Sequence, residues 1–447
     1  MVIFIVLLNK FLNINISFVK KCFNAFLLSC HVVLFDVIIY LQYSYGGNVI
    51  GSICVRNEVA CLKKVLLHRP GNELLNLTPT NLDKLLFDDI PFLELAQREH
   101  DEFANVLRSN GVDVVYLEDL MVDVLELSSD IKKEFLIQFI KEANILSDEY
   151  VYFIFKYLDS FTNMKELVLK TMEGIKLSDI GCSPNNDIHF LVDPMPNLYF
   201  TRDHFVSVGE GIILNNMYFD TRSRETIYVE YIFKYHPEYK MIDKFYDRYM
   251  PYHIEGGDVL ILNSHVLIVG VSQRTELTAV KKLAKNMFQS TSCDIDTILV
   301  FCIPNSRAFM HLDTVFTQVD VDKFVVYSGI LDSLQIFEIT KENDNSFNFF
   351  ESMDSLDNVL EKYLGKKVTL ISCAGGESIY SEREQWNDAA NTLCIAPGVV
   401  IVYNRNTITN RILREHGIKV IEIGSSELSR GRGGPRCMSM PLIRDVL

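Results

Sequence analysis

The chain has no excess of positive charge, no closely paired cysteines and no uninterrupted apolar run long enough to cross a membrane. Each absence removes a class of function. Asp and Glu number 58 against 43 Lys and Arg, a formal charge of −15, which argues against a nucleic-acid backbone as partner. A cationic small substrate is the complementary expectation. Ten cysteines occur and none forms a C-x-x-C pair, so the common zinc and thioredoxin-like readings fall away. Scattered through a long chain, they read as buried hydrophobes in a reducing compartment, which points to the cytoplasm. Gly-x-Gly occurs at 209–211 without a third glycine or a following helix, which excludes a dinucleotide or phosphate loop.

Charge is scarce in residues 1–50, where only Lys10, Lys20, Lys21 and Asp36 carry any. The uncharged run 22–35 is shorter than the ~20 residues a membrane helix needs. Longer candidate spans include Asp36, Gln42, Gly46 or Gly47. No basic residue precedes the apolar start and no small-residue cleavage site follows, so a signal peptide fits poorly. We expect this hydrophobic extension to lie outside the fold, with a membrane anchor behind Lys20 and Lys21 as the alternative. A start site assigned too far upstream would also explain it. No methionine lies between Met1 and Met121, so such a start would need a non-standard codon, with Val49 a candidate.

What is present has the texture of a folded protein, with 48% hydrophobic and 23% charged residues. Residues 64–71 read as a buried strand ending in a turn, 93–110 as a helix and 111–117 as a strand. No proline occurs between Pro91 and Pro184. Within that window Ile131, Phe135, Phe139 and Ala143 recur at helical spacing, and Ser147 before Asp148 and Glu149 looks like a helix start. We therefore read 117–190 as a helical insertion between 51–116 and 191–447, the two parts of one α/β body. In the second part, strand–turn–strand patterns recur at 205–214, 258–271, 314–327 and 391–403. Helices follow at 276–288 and 408–416. Such recurrence points to a pseudo-symmetric assembly around a centre.

Five islands carry candidate chemistry. The last is Ser429-Arg-Gly-Arg-Gly-Gly-Pro-Arg-Cys437, where glycines permit a tight wrap and nearby cations favour a nucleophilic thiolate. The others are Asp193-Pro-Met-Pro-Asn-Leu-Tyr-Phe-Thr-Arg-Asp203, Glu255-Gly-Gly-Asp258, His311-Leu-Asp313, and the arginines Arg222 and Arg274. Taken singly, these are an ordinary turn, a hairpin connection, a solvated strand end and two surface cations. A metal would need further ligands at suitable spacing, and none is evident. In an extended segment, His311 and Asp313 would share one face. Together the islands supply a thiol, an imidazole, carboxylates and arginines. A Cys–His pair points to covalent catalysis on a carbonyl-like carbon. Carboxylates beside a thiolate raise its pKa, yet they become useful when the electrophile is a planar guanidinium, which they bind by paired hydrogen bonds.

In this order the islands resemble the arginine deiminases, from about Val65 to the C-terminus. Leu66-Leu-His-Arg-Pro-Gly71, Leu85-Leu-Phe-Asp-Asp-Ile90 and Arg383-Glu-Gln-Trp-Asn-Asp388 are similar to that family too. The resemblance implies a five-bladed α/β propeller of the pentein type with an inserted helical bundle. It implies hydrolysis of L-arginine to L-citrulline and ammonia, the first step of arginine catabolism, without metal or cofactor. By the same resemblance Cys437 is the nucleophile, and Asp203 and Asp313 clamp the guanidinium. His311 protonates the departing ammonia and then activates water, and Glu255 orients His311. Asn197, Phe200, Arg222, Arg274, Gly431 and Arg432 match positions around the substrate, the arginines suiting its α-carboxylate. The rival readings are a methylarginine hydrolase, an amidinotransferase, or a non-catalytic arginine-binding protein. A homo-oligomer, dimer or higher, is expected.

Overall fold

Short runs of Val, Ile, Leu and Phe broken by Gly, Asn and Asp favour brief strands joined by tight turns. The computed structural model describes residues 52–145, 147–183, 189–342 and 346–447. The expectations for residues 1–50 lie outside them. One arrangement recurs five times in this mixed α/β fold: an antiparallel strand pair, a helix, and a third strand parallel to the second. The third strand runs parallel because a helix carries the chain back across the sheet.

Phe205–Val208 and Gly211–Leu214 pair antiparallel, and Lys244–Tyr246 joins after the helix Thr226–Tyr235. Val259–Ile261, Val266–Val271 and Thr297–Cys302 repeat the pattern around the helix Leu277–Gln289. That helix buries Ala279, Val280, Leu283, Ala284 and Met287 along one stripe. Its sheet is widened by Gln335–Lys341 and Phe347–Ser352. Phe316–Asp320, Lys323–Val326 and Thr369–Ser372 form the next unit, with the helix Leu356–Leu364. Leu393–Ala396, Val399–Tyr403 and Lys419–Ile423 follow, with Thr407–Glu415. The fifth unit joins distant parts of the chain. Met440–Arg444 pairs antiparallel with Leu62–Leu67, and Asp113–Tyr116 runs parallel to the latter after the helix Leu93–Ser109. No sheet among the described residues closes on itself.

Four helices, Leu117–Glu126, Ser129–Glu142, Asp148–Asp159 and Met164–Glu173, lie in the proline-free stretch. A two-stranded ribbon, Ile175–Lys176 with Phe190–Val192, follows them. Ser128 and Asn163 cap helix starts by accepting backbone N–H bonds. Ser147 stands at a helix start as its sequence suggests, but its side chain makes no capping bond. No helix of the described residues is long and apolar enough to cross a membrane.

Candidate active site

Each of the five units contributes the turn that leads into its first strand, and the five turns meet. Asp203 lies in the turn before Phe205, and Glu255 precedes the 3-10 turn Gly256–Asp258. His311 and Asp313 flank Leu312 in the turn entering Phe316–Asp320, Asn391 lies just before Leu393, and Cys437 lies just before Met440. The extended geometry expected for His311 and Asp313 is corrected here, because Leu312–Thr314 is a 3-10 turn. Both side chains nevertheless reach the same site, His311 toward Glu255 and Asp313 toward Cys437.

The contacts are close. His311 Nε2 lies 2.8 Å from Glu255 Oε2, and its Nδ1 lies 3.9 Å from Asp203 Oδ1. Cys437 Sγ stands 3.8 and 4.0 Å from the two carboxylate oxygens of Asp313. Asn391 ties these two together. Its Nδ2 donates to Cys437 Sγ at 3.1 Å and to the Asp313 carbonyl at 3.1 Å, while its Oδ1 accepts the Cys437 N–H at 3.0 Å. Sequence reasoning missed Asn391. It follows the Arg383–Asp388 segment closely, but an amide has no titratable chemistry to single it out.

A cleft of about 590 Å³ is lined by Cys437, His311, Asp203, Asn197, Phe200, Arg222, Arg274, Gly431 and Arg432, together with Leu86, Phe219, Gln273, Arg307 and Met310. Glu255 and Asp313 are fully buried and reach the cleft through His311 and Cys437. Two glycines are required by close approach. A Cβ on Gly257 would stand 2.6 Å from the His311 ring, and one on Gly431 would stand 2.0 Å from Tyr199 Oη and 3.1 Å from the Phe200 ring.

The charges in this site hold one another. Arg222 donates from Nη1 to Asp203 Oδ2 at 2.7 Å and from Nε to Glu225 at 2.9 Å. Arg274 Nη1 donates to Glu255 Oε2 at 3.2 Å and its guanidinium lies over the Phe219 ring. Asn197 donates to the Leu85 carbonyl. Asp203 Oδ1 is buried without a hydrogen-bond partner, an uncommon state for a carboxylate oxygen. Asp203, Glu255 and His311 bring possible ligand atoms within 4.8 Å of one another. Both carboxylates already hold arginines, however, so the donor set has its cations and is a poor fit for a metal ion.

Protonation follows from these contacts. Burial disfavours the charged His311 imidazolium, but Asp203, Glu255 and Asp258 outweigh it and lift the pKa to about 9. Burial opposes ionisation of Glu255 as well, yet Arg274, His311 and Arg222 bring its pKa below the usual carboxylate range. Burial raises Asp258 to about 6 while it accepts bonds from Leu312 N and Ser272 Oγ. The Cys437 thiol is pushed well above its ordinary value, first by burial and then by Asp313, Asp203 and Asp388. The neighbouring cations, which favour a thiolate, are engaged elsewhere and do not offset this. Arg430 pairs with Asp89 and Glu427, and Arg432 lies 3.3 Å above the Trp386 ring. Arg436 turns to Asp313 and Glu58, and its opposing effect on the thiol is smaller than that of the carboxylates.

A family model described as arginine deiminase matches residues 83–444. The arginine deiminase of Treponema denticola is 54% identical over 404 residues, covering 88% of this chain and 98% of that protein. That of Clostridium perfringens is 51% identical over 408 residues, covering 89% and 99%. Among solved structures, the product-bound N-terminal domain of ArgZ, a cyanobacterial arginine dihydrolase, matches with a TM-score of 0.50 at 14% identity, covering 86% of this chain and 98% of that one. SxtG, an amidinotransferase from Microseira wollei, matches with a TM-score of 0.50 at 14% identity, covering 89% and 98%. At such identity these two share the fold alone.

Proposed function

The chain belongs to the arginine deiminase family, and from that premise we propose that it hydrolyses L-arginine to L-citrulline and ammonia in the Cys437 cleft. One observation carries the assignment of the site. A buried thiol, an imidazole held cationic and two carboxylates converge there, and one carboxylate oxygen, Asp203 Oδ1, has no partner. A guanidinium supplies what that arrangement lacks, a planar cation with several N–H donors.

Asp203 and Asp313 clamp the guanidinium nitrogens and hold the carbon in line with Cys437 Sγ. The bound cation offsets the carboxylates that raise the thiol pKa, so Cys437 loses its proton to water once arginine is in place. Sγ then bonds to the guanidinium carbon. His311 gives its proton to one terminal nitrogen, the C–N bond breaks and ammonia leaves a thiouronium on Cys437. The neutral imidazole next takes a proton from water as that water adds to the same carbon. The C–S bond breaks, the thiolate is restored, and loss of the remaining proton gives the ureido group of citrulline. Glu255 orients His311 and supports its cationic form. Arg222 and Arg274 face the α-carboxylate, for which Arg222 exchanges part of its bond to Asp203. Asn197, Phe200, Gly431 and Arg432 enclose the chain of the substrate.

The proposal extends to the architecture. Five units of one topology, each sending a turn to one site, support a five-bladed propeller around that site. The eight cysteines of the described residues are all free, in keeping with a reducing cytoplasm. A homo-oligomer is proposed as well, supported by exposed apolar side chains on the insertion helices, such as Ile137 and Tyr152.

Incubation of the purified protein with L-arginine, with citrulline and ammonia measured, tests the activity. Turnover of methylated arginines alone, or transfer to glycine in place of hydrolysis, would overturn it. The role of Glu255 makes a further expectation. His311 must be cationic to release ammonia, so kcat/KM should fall as pH rises through about 9. Glu255→Gln removes one of the carboxylates that lift the imidazole, and its pKa should move toward the ordinary value near 6.5. The alkaline limb of the profile then shifts to lower pH. An alkaline limb that stays in place would refute Glu255 as the support for the cation.

A further inference from the structure

Behind the nucleophile, three buried charges form a chain of which the catalytic steps above use Asp313 alone. Arg436 is 1% exposed and Asp313 0%, and Glu58 is also buried at 8%. Arg436 Nη1 donates to Asp313 Oδ2 at 2.8 Å. Its Nε and Nη2 donate to the two oxygens of Glu58, each at 3.3 Å, and Nη2 also donates to the Val259 carbonyl at 2.8 Å. Glu58 is fixed in turn by the Ile261 N–H at 3.1 Å. The guanidinium is therefore held on three sides, with its remaining nitrogen aimed at one oxygen of Asp313, the carboxylate beside Cys437.

Geometry gives this chain its consequence. An unconstrained aspartate side chain rotates about two bonds, and either oxygen can face either way. Here Oδ2 is tied to Arg436, so Oδ1 is the oxygen left for a ligand. A planar guanidinium needs its carboxylate partner in one orientation, and misplacement by about 1 Å can cost on the order of 100-fold in rate. The charges also balance. Without Glu58, Arg436 would sit as a buried cation shared only with Asp313, and it would draw that carboxylate away from the cleft.

From these contacts we infer that Glu58 and Arg436 are positioning residues, which act on arginine turnover by fixing the rotation of Asp313. This rests on the proposed role of Asp313 as a guanidinium clamp. Nothing in the sequence linked the two ends, since Glu58 and Arg436 lie 378 residues apart.

The test is a double-mutant cycle on the full-length protein, with L-arginine as substrate and Tm followed in parallel. Glu58→Gln keeps the shape and one acceptor but removes the charge that holds Arg436. It should lower kcat/KM by roughly 10- to 100-fold. In an Asp313→Asn background the same change should cost less than about 2-fold, because the group it positions is already lost. A merely structural role would instead give the same loss in both backgrounds. Should Glu58→Gln not fold, Glu58→Asp keeps the charge while withdrawing it from Arg436, and the same non-additivity is expected. Equal losses in both backgrounds, or a wild-type rate for the Glu58 variants, would overturn the inference while leaving the clamp intact. Unchanged turnover in Asp313→Asn alone would overturn the clamp, and the inference with it.

Discussion

Serine in place of Cys437 is expected to stop citrulline formation, with a loss on the order of 10⁵-fold, while arginine still binds. The two parts have separate causes. Binding relies on Asp203, Asp313 and the arginines of the cleft, none of which contacts the substrate through sulfur. Chemistry needs an anion at the end of residue 437. A thiol there is already pushed well above its ordinary pKa by burial and by three carboxylates, and a hydroxyl is far harder to ionise. Nor is there a base to help it, because His311 holds its proton up to about pH 9. Isothermal titration with L-arginine should give a dissociation constant near that of the resting wild-type site, with no citrulline accumulating. Citrulline production within about tenfold of wild type would remove Cys437 as nucleophile.

Recurring strand pairs were legible in the sequence because a short strand has a simple signature. Phe205–Val208 and Gly211–Leu214 are short apolar runs on either side of a glycine turn, and Val399–Tyr403 follows Pro397-Gly398 in the same way. The helix at Leu277–Gln289 was legible from its apolar stripe. Turns were harder. His311-Leu-Asp313 has the spacing of a strand face, but the segment coils into a 3-10 turn, and the two side chains reach the site by another path. Adjacency in the chain was the weakest guide of all. Arg436 neighbours Cys437 in sequence, yet its guanidinium serves Asp313 and Glu58. The charges that govern the thiol come from Asp313, Asp203 and Asp388, each on a different turn. Asn391, which bonds both the thiol and the Asp313 backbone, gives no chemical signal in a sequence, because it neither titrates nor attacks. Long-range electrostatics and neutral hydrogen bonding are properties of how five turns meet. No single segment contains them.

Asp203→Asn is expected to lower kcat/KM for arginine by roughly 10³-fold, and to make Cys437 more reactive as it does so. The substitution keeps the size of the side chain and its acceptor toward Arg222, so the fold is retained. What changes is the free oxygen. Asp203 lines the cleft and its Oδ1 has no hydrogen-bond partner, so an amide nitrogen at that place would set donor against donor when a guanidinium arrives. Charge pairing and orientation are lost together. The same carboxylate is one of the groups that raise the Cys437 pKa, so neutralising it lets the thiol ionise at lower pH. Alkylation by a neutral reagent such as iodoacetamide, followed against pH, should therefore show a midpoint displaced downward while turnover collapses. An unchanged Tm separates this from loosening of the fold. Asp332→Ala, an exposed acid away from the cleft, serves as the control and should alter neither quantity. If Asp203→Asn turned over arginine like Asp332→Ala, or slowed turnover with the alkylation midpoint fixed, the carboxylate would be neither clamp nor the brake on the thiol.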